Sequence, residues 1–85
     1  MSRWITFEPL TPNLGTKRWA VMTKERPTQI GTVSWWGPWR KYVFHAGPQT
    51  LFDQDCLRDI ADFVEAETKA HYAAKSLAER QRAGL

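Results

Sequence analysis

Few side chains in this 85-residue sequence are suited to covalent chemistry. They are two histidines, one cysteine and three closely spaced aspartates: His45, His71, Cys56, Asp55, Asp59 and Asp62. A nucleophilic Cys–His pair needs contact between its members, whereas Cys56 falls on an apolar stripe, where a thiol usually packs without reacting. The aspartates fall in the first turns of a predicted helix, where negative charge complements the helix dipole. We therefore expect no enzymatic activity, no metal site and no cofactor.

Residues 34–44, SWWGPWRKYVF, instead combine aromatic rings with positive charge, and hold three of the five tryptophans. Indole rings beside cationic groups suit nucleobases and phosphates, through stacking and charge attraction. The candidate ligand-binding residues are Trp36, Trp39, Arg40 and Lys41, followed by His45 and Arg18. The alternative is structural, with Trp36 packing under the 9–16 loop and Trp39 covering the end of a hairpin.

Charge is distributed unevenly along the chain. Residues 1–47 carry seven basic and two acidic side chains, a net of +5, whereas residues 48–85 carry five basic and seven acidic ones, a net of −2. All five tryptophans lie in the basic part. This favours an anionic partner for that part, although lysines and arginines at strand ends would give the same split.

The order of the elements predicts an α+β fold, a small antiparallel sheet of three or four strands packed on one long C-terminal helix. Strands are expected at 4–8, 17–23, 30–36 and 39–45, with Gly37-Pro38 breaking the chain between the last two. Because opposite residues of that hairpin sum to an odd number, one face carries mainly apolar side chains and the other is mixed. The apolar face comprises Val33, Trp35, Tyr42 and Phe44, and the mixed face comprises Thr32, Ser34, Trp36, Lys41, Val43 and His45.

A helix is predicted from about residue 54, with Asp53 as its N-cap and with Phe52 and Leu57 as a hydrophobic staple. Its buried stripe is predicted to comprise Cys56, Leu57, Ile60, Phe63 and Val64. We treat 1–85 as one domain, with a sheet part at 1–47, a packed helix at 53–68 and a helical extension at 69–85. That extension is longer than the sheet can cover, so we expect a homodimer through the C-terminal helix or, alternatively, a solvated tail.

The location of the protein is also predicted from composition. A single cysteine cannot form an internal disulfide, and no apolar run approaches the ~18 residues that a membrane-spanning helix needs. The N-terminus lacks the apolar stretch of a secretory signal. We therefore expect a cytoplasmic protein without membrane contact.

The second half of the sheet part and the start of the helix resemble small proteins of tailed bacteriophages and prophages. The shared pattern is a W-x-G-x-W-R-x-Y-x-F hairpin followed by a short CL..I..F helix. It falls on Gly31, Val33, Trp35, Gly37, Trp39, Arg40, Tyr42, Phe44, Thr50, Phe52, Cys56, Leu57, Ile60 and Phe63. The resemblance implies a phage gene product in the bacterial host cytoplasm, and it implies no reaction. The present helix runs past the end of the pattern, and His45-Ala46-Gly47 replaces a more aromatic stretch.

Three binding functions are compatible with these features. The first is a non-enzymatic phage protein that counteracts host defence, in its most concrete form by sequestering a nucleotide-type signalling molecule. The second is a nucleic-acid-binding accessory protein, against which the modest net charge of +3 argues. The third is a protein–protein inhibitor of a host factor with the tryptophans as anchors.

Overall fold

In the computed structural model, residues 4–12 and 15–83 are described, with the backbone alone for 78–83. The elements are β1 (Ile5–Pro9), β2 (Arg18–Thr23), β3 (Gln29–Trp36), a 3-10 turn (Gly37–Trp39), β4 (Lys41–Ala46) and α1 (Gln54–Ala83). The four strands form one antiparallel sheet in the order β1-β2-β3-β4. The predicted α+β class is confirmed. Residues 1–3, 13, 14, 84 and 85, which the predicted domain and extension include, lie outside the described part.

The β3–β4 hairpin has the two faces that its sequence predicts. Trp35 lies opposite Tyr42 and Val33 opposite Phe44, while Trp36 lies opposite Lys41 on the other face. The connection has four residues, so Trp39 belongs to the 3-10 turn and not to the predicted strand 39–45. Arg40 closes the turn with φ of 53°, a left-handed conformation, and its N–H donates to the Gly37 carbonyl at 3.1 Å.

The core lies between the apolar face and α1. Val21 and Val33 have no exposed surface, and burying each such side chain contributes about 1.5–3 kcal/mol. Phe63 of α1 stacks on Phe7 with ring centroids 3.9 Å apart, and meets Trp19 edge-on at 4.9 Å. Aromatic side chains therefore bring the helix onto the first two strands with more contact area than aliphatic ones would give.

The predicted N-cap of α1 is confirmed, whereas one residue of its predicted buried stripe is exposed. The N–H of Cys56 donates to Asp53 Oδ1 at 2.9 Å, which makes Asp53 the N-cap. Ile60 is buried, but Leu57 is 51% exposed and does not belong to the core. At 100° per residue Leu57 lies about 60° around the helix from Ile60, at the margin of the buried arc.

Contacts between helix and sheet continue beyond residue 68. The Thr68 hydroxyl accepts from the Tyr42 N–H at 3.0 Å, and the Tyr72 hydroxyl donates to the Arg40 carbonyl at 2.7 Å. His71 lies against Trp35 with ring centroids 4.3 Å apart. The 3-10 turn therefore extends the surface on which the helix packs, because it carries Arg40 beyond the end of β3.

Candidate functional site

Within the described part of the chain, one face of the sheet carries no helix, and this face is called the open face below. Ladder register assigns it Trp36, Ser34 and Thr32 of β3, Lys41, Val43 and His45 of β4, Arg18, Ala20 and Met22 of β2, and Thr6 and Glu8 of β1. The ring contacts and hydrogen bonds that join α1 to the sheet are with residues of the other face and with Arg40 after the turn. The open face is therefore the side of the sheet that α1 leaves uncovered, and within it Ala20 is buried while Trp36, Lys41, His45 and Glu8 are exposed.

Trp36, Trp39 and His45 form an aromatic cluster on the open face. The rings of Trp36 and Trp39 meet at 76° with centroids 6.4 Å apart, and the Trp36 ring meets that of His45 at 72° and 6.3 Å. Trp36 is 42% and Trp39 66% exposed. Both indoles therefore keep accessible ring surface among the described residues.

The positive groups are spread around this cluster. Lys41 lies directly opposite Trp36, and Arg18 lies on the same face beyond Ser34, the residue opposite it in β3. The Arg18 guanidinium donates weakly to the Thr11 carbonyl at 3.5 Å, which holds it near the rim. Lys41 also borders a groove between β4 and α1, because β4 is an edge strand and a long side chain there reaches either side. Glu8 contributes the opposite charge on β1.

Arg40 differs from the other candidates in its surroundings. Its carbonyl accepts from Tyr72 on the helix side, while its side chain is exposed beside Trp39. The structure therefore brings Trp36, Trp39, Lys41 and His45 together, places Arg18 on the same face two strands from β4, and puts Arg40 at the tip of the hairpin.

The residues first considered for covalent chemistry are separated. His45 is on the open face, whereas His71 packs against Trp35 on the covered face. Burial, followed by the hydrogen bond and charge of Asp53, raises the pKa of the Cys56 thiol, which disfavours the thiolate that a nucleophile needs. Among the described residues no three His, Cys, Asp or Glu side chains are grouped as a metal site would require.

A second candidate region lies on the covered side of the sheet. A cleft of about 380 Å³ opens between the start of β2 and α1, lined by Gly15, Lys17, Tyr42, Glu67, Ala70, His71, Ala74 and Lys75. No local pattern predicts this cleft, because Lys17 and Lys75 are 58 positions apart along the chain and only the helix packing brings them together. The negative charge of Glu67 partly balances the positive charges of Lys17 and Lys75, so the cleft lining is mixed and not selective for anions.

Fold and site together define a small α+β protein with one sheet face covered by a helix and the other open and bearing tryptophans. Over 44 residues the chain is 34% identical to the protein named "Uncharacterized 9.3 kDa protein" of Acholeplasma phage L2. The match covers 52% of this chain and 56% of the phage protein, so it spans a little over half of that relative. No protein-family model matches the chain. No solved structure matches it.

The similarity agrees with the phage resemblance of the sequence, while the hairpin pattern as a family signature stays a prediction. The described part of the chain contains no helix that is both long and apolar enough to cross a membrane. The predicted homodimer through the C-terminal helix also stays a prediction. The exposed large side chains that such an interface would use are Tyr72 and Leu77, which are 40% and 57% exposed.

Proposed function

We propose that the protein is a non-enzymatic phage accessory protein that binds single-stranded nucleic acid on its open face. The observation that carries this proposal is the exposed pair of indole rings, Trp36 and Trp39, on a sheet surface that no described element covers. Aromatic rings on an open sheet are platforms on which unpaired bases stack, because every base has a flat π-face.

The angle between the two rings favours an extended ligand. At 76° and 6.4 Å between centroids, Trp36 and Trp39 do not form the parallel walls that would hold one base between them. Each ring offers a separate face, so two bases of one strand are accommodated more readily than one base of a mononucleotide. Stacking contributes about 1–3 kcal/mol per base.

The cations supply the sequence-independent part of the binding. Lys41 lies opposite Trp36, Arg40 follows Trp39 at the hairpin tip, and Arg18 lies on the same face in β2. A nucleic-acid backbone that crosses the face from β4 towards β2 would pass these three residues. Three phosphate contacts predict a slope of about −2 for log K against log salt concentration with a single strand. The resulting affinity is modest, in keeping with a net charge of only +3.

Sequestration of a small nucleotide, with its role against host defence, is less well supported by this geometry. Ligand sites for small molecules are concave and bury 70–90% or more of the ligand. Trp36 and Trp39 line neither the cleft between β2 and α1 nor the groove between β4 and α1. They are also absent from a cleft between β1 and α1 and from one at the end of β2 beside Trp4. A role against host defence would depend on which nucleic acid is bound, and it stays a hypothesis.

The test is a titration of tryptophan fluorescence with ten-residue oligonucleotides, poly-dT and poly-rU, at several salt concentrations. We expect Trp39→Ala to raise Kd by about 5- to 150-fold, the equivalent of one stacked base. Trp4→Ala is the matched control, because Trp4 is also 50% exposed but precedes β1 at the opposite end of the sheet.

The same protein would be titrated calorimetrically with cyclic dinucleotides and ADP-ribose. Heat with one of these, combined with no oligonucleotide binding, would replace the present proposal by nucleotide sequestration. Equal losses of oligonucleotide affinity in Trp39→Ala and Trp4→Ala would show that the open face is not the binding site. Binding of neither class would leave the open face without a nucleotide-containing ligand and overturn the proposal.

A further inference from the structure

The outer edge of β4 has a hydrogen-bonding pattern that can be read from the ladder. The Gly47 N–H donates to the Ile30 carbonyl at 2.9 Å, which makes 30 and 47 a hydrogen-bonded pair. Because such pairs alternate in an antiparallel ladder, residues 41, 43 and 45 direct their backbone groups to β3, and residues 42, 44 and 46 direct theirs outward. The Tyr42 N–H confirms this alternation, since it reaches out to the Thr68 hydroxyl.

Phe44 and Ala46 differ from Tyr42 in this respect. Their outward N–H and C=O groups have no hydrogen-bond partner among the described residues. Phe52 packs on the Phe44 side chain at 5.3 Å between ring centroids, on the covered side of the sheet, and not on these backbone groups. An edge strand with unpaired backbone groups is a template for another strand.

We propose that this edge pairs with β4 of a second copy of the chain, antiparallel and about a two-fold axis beside His45. In this register Phe44 lies opposite Ala46 of the second copy, and Ala46 lies opposite Phe44 of that copy. Each such pair exchanges two N–H···O=C bonds, so the interface closes four backbone hydrogen bonds. The two sheets then form one continuous sheet of eight strands.

Missing backbone donors favour this register. The next outward pair would join Tyr42 to Pro48 of the second copy. The Tyr42 N–H is already donated to Thr68, and proline has no N–H. Both donors of that pair are therefore absent, so the symmetric register ends without leaving an N–H unpaired.

The pairing changes the open face as well as the edge. The two His45 side chains would lie directly opposite each other on that face, with Cα atoms about 4.5 Å apart as in any non-hydrogen-bonded pair. The aromatic clusters of Trp36, Trp39 and His45 from both copies would then form one continuous surface. This extends the proposed binding face across the two-fold axis, but the pairing itself does not depend on the ligand.

Native mass spectrometry and sedimentation of the full chain, without nucleic acid, test the pairing. We expect a dimer, and we expect Ala46→Pro to be a monomer with an unchanged circular dichroism spectrum, because the Ala46 N–H serves the outer edge and no bond within the subunit. His45→Lys and His45→Asp provide a second pair of variants. Each alone places like charges across the axis and should weaken the dimer about fivefold, whereas their equimolar mixture should form a heterodimer at least as stable as the parent.

A monomeric parent chain at all concentrations tested would overturn the proposal. A dimer that resists Ala46→Pro and ignores the His45 charges would overturn it too. If that dimer were instead lost in Leu77→Lys, the interface would be the C-terminal helix. Because these readouts contain no nucleic acid, their failure would be distinguishable from a failure of the binding proposal.

Discussion

Replacing Gly31 by alanine tests how closely β3 and β4 pack. A Cβ atom at Gly31 would lie 2.4 and 2.5 Å from the Phe44 Cε1 and Cζ atoms and 2.6 Å from the His45 carbonyl oxygen. Carbon atoms in van der Waals contact are about 3.5–4.0 Å apart. The Phe44 ring, which leans over Gly31 on the covered face, and the backbone of β4 would both have to move.

The size of the effect follows from these contacts. Forcing one extra methyl into a packed site costs about 1–3 kcal/mol, and the backbone contact places Gly31→Ala in the upper part of that range. The gain of about 0.4–1 kcal/mol that alanine brings by restricting the unfolded chain offsets only part of it. In a domain of this size each kcal/mol lowers Tm by about 4–8 °C, so we expect a decrease of about 5–20 °C.

Thermal and urea unfolding followed by circular dichroism would measure this change. Gly37→Ala is the control, because a Cβ there meets no atom within 4 Å and surface substitutions of this kind usually change stability by less than about 0.5 kcal/mol. The double variant Gly31→Ala with Phe44→Leu should recover part of the loss by removing the ring contact. Equal Tm values for Gly31→Ala and Gly37→Ala would refute the packing argument.

Two further predictions concern the helix. Thr68→Val should lower stability by about 1–3 kcal/mol, because the half-buried Tyr42 N–H loses its acceptor, and Thr68→Ser should retain most of the stability in the same urea titration. Asp53→Ala should lower Tm at neutral pH, because the N–H of Cys56 stabilises the Asp53 carboxylate and lowers its pKa below 3.8. That stabilisation is present above pH 3.8 and is lost as the pH falls through the native pKa, so the Tm difference should shrink there. A constant difference down to pH 2 would contradict the capping role.

Much of the local structure is determined by the sequence alone. The two faces of the β3–β4 hairpin follow from alternation, because side chains repeat every two residues and a change of register by one would put Trp35 and Tyr42 in water. The start of α1 follows from Asp53, whose short side chain reaches an N–H that the helix cannot satisfy internally. These features depend on neighbours along the chain or across a tight turn.

Strand alternation predicts only some of the residues that form the candidate site. Alternation placed Trp36, Lys41 and His45 on one face, and the short loop kept Trp39 beside them. That Arg18 shares this face required the pairing of β2 with β3, which periodicity does not specify. The left-handed residue at Arg40 and the turn that displaces Trp39 from β4 likewise depend on how the hairpin closes.

Only the tertiary structure decided where α1 lies on the sheet. Its position leaves Leu57 half exposed despite its apolar spacing, and it brings His71 and Tyr72 against Trp35 and Arg40 despite their polar neighbours. The same position brings Thr68 to the β4 edge, where its hydroxyl accepts from the outward N–H of Tyr42. The physical reason is that helical periodicity fixes which residues share a stripe, whereas the sheet against which the stripe packs fixes which of them are buried.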